Sequence, residues 1–161
     1  MLNNLKPANF GKQVAGREFC GQLSLSLMCN LRHSFCFQRS FSCDHLADEI
    51  LFEKLRPLYE RIDTLRILGG EPTIIPGSYA YVEWLMNNYR HINLEIVTNG
   101  LALNDAWLEM IAKHRIGIQV SVNGISNSVF EKIMRIGDPI DLRNRIYNNL
   151  NRLIALDKNL P

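Results

Sequence analysis

Thr64-Leu65-Arg66-Ile67-Leu68-Gly69-Gly70-Glu71-Pro72 opens as an alternating run and stops on two glycines, an acid and a proline. Period-two alternation over five residues is the pattern of a strand with two different faces, and a Gly-Gly pair is a strong place to end one. Three more segments repeat the design. Leu23, Leu25 and Leu27 interleave with Ser24 and Ser26 and lead into Cys29. The run Asn93–Thr98 leads into Asn99-Gly100. Residues 116–122 alternate Ile116, Ile118, Val120 and Val122 with Gly117, Gln119 and Ser121, and lead into Asn123-Gly124.

Helical stripes separate these strands. Leu51, Leu55, Leu58 and Ile62 recur at three- and four-residue spacing, with Asp44 placed to cap the start and Pro57 placed to kink or shorten the end. Val82, Leu85, Met86 and Tyr89 form a second stripe. Trp107, Leu108, Ile111 and Ala112 form a third, opened by Asn104. A short helix after Ser126, a Gly137-Asp138-Pro139 turn and a longer helix striped by Leu142, Ile146, Leu150 and Leu153 complete the chain.

The order β-α-β-α-β-α-β-α-α predicts an α/β fold with parallel strands, either an open doubly wound sheet or part of a barrel. In either case the polar and glycine-rich groups sit at the carboxyl ends of the strands. They must share one rim, which is where such folds place ligands.

The 161 residues suffice for one domain with a real core. Lys and Arg total 18 and Asp and Glu 16, a net charge of +2 with the two signs interspersed, which argues against partners held through nucleic-acid phosphates or an anionic membrane surface. A composition 47% hydrophobic and 21% charged is that of an ordinary globular chain. Four cysteines are too few for a disulfide scaffold. No stretch approaches a membrane span, and the N-terminus lacks the apolar region of a secretory signal. The expectation is a cytoplasmic protein whose thiols stay reduced.

Chemistry concentrates in Cys29-Asn30-Leu31-Arg32-His33-Ser34-Phe35-Cys36, with Cys43 seven residues on. Soft thiols and an imidazole packed into one loop directly after a strand suit iron–sulfur or zinc ligation. Buried free thiols beside a surface histidine are the plainer alternative.

The stretch resembles the cluster-binding loop of the radical S-adenosylmethionine (radical SAM) enzymes, which carry three cysteines at C-x3-C-x2-C after the first strand, with an aromatic residue commonly preceding the last, as Phe35 does here. Gly69-Gly70-Glu71-Pro72 is similar to the family's GGEP segment. Thr98-Asn99-Gly100 and Ser121-Val122-Asn123-Gly124 resemble its third- and fourth-strand endings, and residues 129–153 look like the helix region of its peptide-maturing, SPASM-type branch. The likeness covers roughly residues 22–160.

Several expectations follow from the resemblance. The fold becomes a partial TIM-type barrel of about four β/α units, with residues 1–21 a leader and 22–161 an incomplete radical SAM core. Cys29, His33 and Cys36 become metal ligands of a 4Fe-4S cluster. The amino and carboxylate groups of S-adenosylmethionine would bind the open iron, and an electron from the cluster would then release a 5′-deoxyadenosyl radical that takes hydrogen from a substrate, with a peptide as the class the maturase-like region suggests. Phe35 would pack beside the adenine. Gly69 and Gly70 would let backbone approach the methionyl end, and Glu71 would order that loop or meet the ammonium. Asn99, Ser121 and Asn123 would bond the ribose or the methionyl carboxylate, with a turn or cap as the alternative for each. A flavodoxin or ferredoxin would supply the electron.

Two departures stand out. His33 occupies the place of the middle cysteine. A neutral imidazole there removes a negative charge and should raise the reduction potential. Left open are an unligated His33 and recruitment of Cys43 or Cys20, the latter at the wrong end of its strand and expected to be a packed thiol. The second departure is length. The family's fifth and sixth strands have no counterpart before Pro161, so strand four should present an apolar edge that a partner chain would cover. A fragment, a degenerate relative acting as a binding module, and a zinc site of Cys29, His33, Cys36 and Cys43 remain as alternatives.

Overall fold

A computed structural model describes residues 19–38, 49–124, 126–133 and 138–157. Four strands, β1 (Cys20–Ser24), β2 (Thr64–Leu68), β3 (Asn93–Thr98) and β4 (Gly117–Val120), form one wholly parallel sheet in the order β1-β2-β3-β4. Sequential order has no reversal of direction, so the doubly wound alternative is excluded and a barrel segment remains. Helices α1 (Glu49–Tyr59), α2 (Ser78–Asn88) and α3 (Asp105–His114) make the crossovers, and α4 (Asn127–Ile133) and α5 (Pro139–Asp157) follow β4.

Register explains why the sheet has two unlike faces. Leu23, Ile67, Ile96 and Ile118 lie side by side across all four strands. This row packs into the main core with Leu65, Leu94, Tyr81, Val82, Leu85, Trp107 and Ile111, so it is the helix-facing side. One residue earlier, Gln22, Arg66, Glu95 and Gly117 form the corresponding row on the opposite face. There Arg66 Nη2 meets Glu95 Oε2 at 2.6 Å, both side chains partly exposed.

The helices follow their stripes. Phe52, Leu55 and Leu58 of α1 pack on the core, and α1 closes at Tyr59, two residues after Pro57. Ile62 is fully buried but lies past the helix end. Asn104 caps α3, its side chain accepting from the Trp107 N–H at 3.0 Å. Arg115 ends that helix in the left-handed region at φ 53°. Asp44, Cys43, Gly137 and the side chain of Leu51 lie outside the described residues.

Two strand boundaries differ from expectation. β1 begins at Cys20, inside the expected leader, and ends at Ser24, because its ladder partner β2 stops at Leu68 where Gly69 turns away. Leu25 still enters the core, whereas Leu27 is exposed. β4 spans only Gly117–Val120. It is therefore a four-residue edge rather than the seven-residue apolar edge expected, and Val122 beyond it is exposed. Cys20, expected to be packed, is exposed on the first residue of β1.

Candidate metal and cofactor site

The loop that follows β1 crosses the carboxyl ends of the other strands in order. Met28 O accepts from the Glu71 N–H beyond β2 at 2.7 Å. Asn30 Oδ1 accepts from Asn99 Nδ2 beyond β3 at 2.8 Å. His33 Nε2 meets Asn123 Nδ2 beyond β4 at 3.0 Å. Finally the Ser34 N–H donates to Ile133 O at the end of α4, at 2.9 Å. Between these joints Leu31, 1% exposed, anchors the loop in a second small core with Leu101, Phe130, Leu142 and Ile146.

The glycines explain how the β2 loop reaches this strap. Gly70 has φ 54°, and a Cβ on it would lie 2.0 Å from Met28 O. Gly69 has φ 87°, and its Cβ would lie 1.7 Å from Ser24 Oγ. Both positions are closed to side chains by the chain's own backbone and neighbours, and both need a left-handed conformation. The sequence assigned this close approach to a ligand; the chain itself already requires it.

Glu71 is 1% exposed. Its Oε1 accepts from the Thr73 N–H at 3.2 Å, Thr73 Oγ1 at 2.6 Å and Thr98 Oγ1 at 2.6 Å. Its Oε2 accepts from the Asn99 N–H at 2.7 Å. A buried carboxylate with four donors ties the ends of β2 and β3 together, which is the loop-ordering role among the two the sequence left open. Asn99 is equally engaged: besides Asn30, its Oδ1 accepts from the Leu101 N–H at 2.9 Å, an Asx turn. Asn30, Thr73 and Leu31 were not singled out from sequence. Nothing in a single chain marks an asparagine after a cysteine as a tether, although the apolar Leu31 inside a polar loop was a usable signal.

Cys29 and Cys36 are half-buried on this loop. Burial pushes the Cys29 thiol up, with the Glu71 and Cys36 charges adding to it; the Leu31 N–H, 3.4 Å from Sγ, and Asn99 oppose the rise. Metal binding at Cys29 must therefore displace a proton. Cys36 Sγ lies 3.8 Å from Gln38 Oε1. Burial pulls the His33 imidazole down, so it is neutral near pH 7 and carries a free lone pair. Phe35 is 63% exposed, and its ring stacks on His33 with centroids 5.2 Å apart and planes 17° from parallel. The Ser121 N–H donates to Thr98 O at 2.8 Å, which sets Ser121 on the same rim.

Among the described residues no three His, Cys, Asp or Glu side chains converge on one ion position. A mononuclear zinc needs such convergence. A four-iron cluster does not, since each ligand holds a different iron. Cys29, Cys36 and His33 on one loop above the rim fit the second requirement in chemistry: two soft thiols and one neutral imidazole.

Residues 23–156 match the Radical SAM superfamily, and the chain belongs to it. Its members use a 4Fe-4S cluster and S-adenosylmethionine. Among curated relatives, the chain is 24% identical over 148 residues to the GTP 3′,8-cyclase of Alkaliphilus oremlandii, covering 84% of this chain and 43% of that protein. It is 28% identical over 123 residues to that of Geobacter sulfurreducens, covering 73% and 38%. Among solved structures it is similar to native anSMEcpe with bound AdoMet and Cp18Cys peptide (TM-score 0.72, 16% identity, 88% of this chain and 41% of that one). It is also similar to Streptococcus suis SuiB bound to precursor peptide SuiA (TM-score 0.58, 20% identity, 86% and 37%). The chain thus spans about two fifths of these proteins, and the shared fold is the partial radical SAM barrel. Among the described residues no helix is long and apolar enough to cross a membrane.

Proposed function

We propose that this chain is the cluster-binding portion of a radical SAM enzyme, with Cys29, Cys36 and His33 holding a 4Fe-4S cluster and the rim from Gly69 to Asn123 receiving S-adenosylmethionine. The observation that carries the reading is the ordered strap, which holds the stretch with Cys29 and His33 against the ends of β2, β3 and β4, with Cys36 three residues further along the same loop. When bound, the cluster supplies the electron that cleaves the sulfonium; a flavodoxin or ferredoxin is the proposed donor.

The chain's own residues do the positioning. Glu71 holds the β2 and β3 ends at a fixed separation, and Asn99 passes that constraint to Asn30 beside Cys29. Ser121 and Asn123 offer polar groups on the β4 side for the ribose or methionyl carboxylate. Phe35, exposed next to His33, is available to cover an adenine. Gly69 and Gly70 present backbone rather than side chains at the loop turn.

A peptide substrate is the finer part of the proposal. It is supported by the likeness to anSMEcpe and SuiB, both seen with peptides. The cyclase relatives are named for a nucleotide reaction, so the assay should offer both substrate classes. Anaerobic reconstitution with iron and sulfide should give a brown protein, and a strong reductant with S-adenosylmethionine should yield 5′-deoxyadenosine. A reconstituted, cluster-loaded chain that makes none would favour the non-catalytic relative; a chain that takes up no cluster would end the reading.

A further inference from the structure

Asn123 touches His33 through Nε2 alone, while Nδ1 has no hydrogen-bond partner among the described residues. From this contact we infer that His33 serves as the third cluster ligand through Nδ1, with Asn123 as the positioning residue on Nε2. The inference rests on the cluster reading above and specifies which atom and which partner carry it.

The argument is one of hydrogen-bond accounting. With Asn123 Nδ2 facing the ring, Nε2 accepts and the imidazole is the Nδ1–H tautomer; the same 3.0 Å contact serves the other tautomer when the carboxamide is turned end for end. A metal takes a lone pair, and a ligating imidazole almost always donates its other N–H to an oxygen. Exchanging the two ends of the Asn123 carboxamide achieves this without moving the ring: Oδ1 accepts from Nε2–H, and Nδ1 is left with its lone pair. Ligation through Nε2 would instead break the Asn123 contact, which ties the first strand's loop to the turn after the fourth strand. The stacked Phe35 ring opposes rotation of the imidazole that would swap the two nitrogens. Two hydrogen bonds hold the backbone just after the ring: the Ser34 N–H donates to Ile133 O at 2.9 Å, and the Cys36 N–H donates to His33 O at 3.2 Å.

The test uses the full chain reconstituted anaerobically with iron and sulfide, in four forms: unaltered, His33→Cys, Asn123→Ala and Asn123→Asp. Readouts are iron and sulfide content, nitrogen hyperfine coupling of the reduced cluster by pulsed electron paramagnetic resonance, reduction potential, and circular dichroism to confirm folding. The unaltered chain should show a strongly coupled nitrogen that His33→Cys abolishes. Asn123→Asp, which keeps an acceptor for Nε2–H, should retain cluster and coupling and lower the potential, as the ring becomes more imidazolate-like. Asn123→Ala should lower cluster content several-fold while the chain stays folded. A cluster with no coupled nitrogen, or Asn123 variants that both match the unaltered chain, would overturn the inference. Cluster uptake by His33→Cys alone would overturn it while leaving the family reading intact; uptake by neither would remove both.

Discussion

The Glu71 carboxylate accepts the backbone N–H of Asn99 at 2.7 Å, across 28 residues of sequence, with the side chain 1% exposed. One acid thus joins the turn after β2 to the turn after β3. Its removal should be felt in stability before it is felt in chemistry. Glu71→Ala strands four donors in a buried place and should cost about 3–5 kcal/mol, and Glu71→Gln, which sets an amide against one of those donors, about 1–3 kcal/mol. Urea denaturation measures both, and a Glu71→Gln variant as stable as the parent would show that the carboxylate does not clamp the rim.

Gly70→Ala sets a methyl group 2.0 Å from Met28 O at φ 54°. Backbone, not a flexible side chain, is what it meets, so the strap must shift. Destabilisation of more than about 2 kcal/mol is expected. Gly117→Ala is the control: its Cβ would come nearest Glu95 Cγ, a flexible side chain, at 3.2 Å, with Leu94 O at an ordinary 3.5 Å, and the change should fall within about 1 kcal/mol. Thermal melts of the two variants should separate clearly.

Leu31→Ala empties the strap's apolar anchor among Leu101, Phe130, Leu142 and Ile146. A loss of about 2–4 kcal/mol is expected. The more specific consequence is at the neighbouring thiol: Cys29 should react several-fold faster with a thiol reagent once the loop is released. An unchanged Cys29 rate would mean that the hydrogen-bonded joints hold the loop without Leu31.

Tyr59 and Tyr81 are fully buried and share a hydroxyl–hydroxyl hydrogen bond. Burial raises both phenols, most strongly Tyr81. Below about pH 10 both the folded and unfolded phenols are neutral, so the pair adds no pH dependence there. Above that value the unfolded chain releases protons that the folded chain retains. Stability should then fall as pH rises, by up to about 1.4 kcal/mol per pH unit for each phenol. Tyr81→Phe should roughly halve that alkaline slope in denaturant titrations between pH 9 and 11.

The parts of the fold that one strand's own pattern dictates were legible. β2 and β3 fall where alternation places them, and Asn104 caps α3 as its position suggests. β1 and β4 moved because a strand ends where its neighbour's ladder ends, and that depends on register, which no single segment carries. The same holds at the rim. Cysteines, glycines and the acid advertise themselves by type, whereas the cross-strand partners of Glu71 and Asn99 lie 27 to 69 residues away and become visible only when the strands are side by side. Cys20 illustrates the limit on the other side: its exposure follows from an alternation that begins three residues before the leucines announce it.

The loop's joints, at positions 28, 30, 33 and 34, meet groups at 71, 99, 123 and 133 in the same sequence. The spacing of residues between Cys29 and Cys36 is therefore a ruler cut to the width of the sheet as much as a comb for iron. Adding or deleting a single residue between Asn30 and His33 would leave every donor atom's identity unchanged yet set each tooth against the wrong gap.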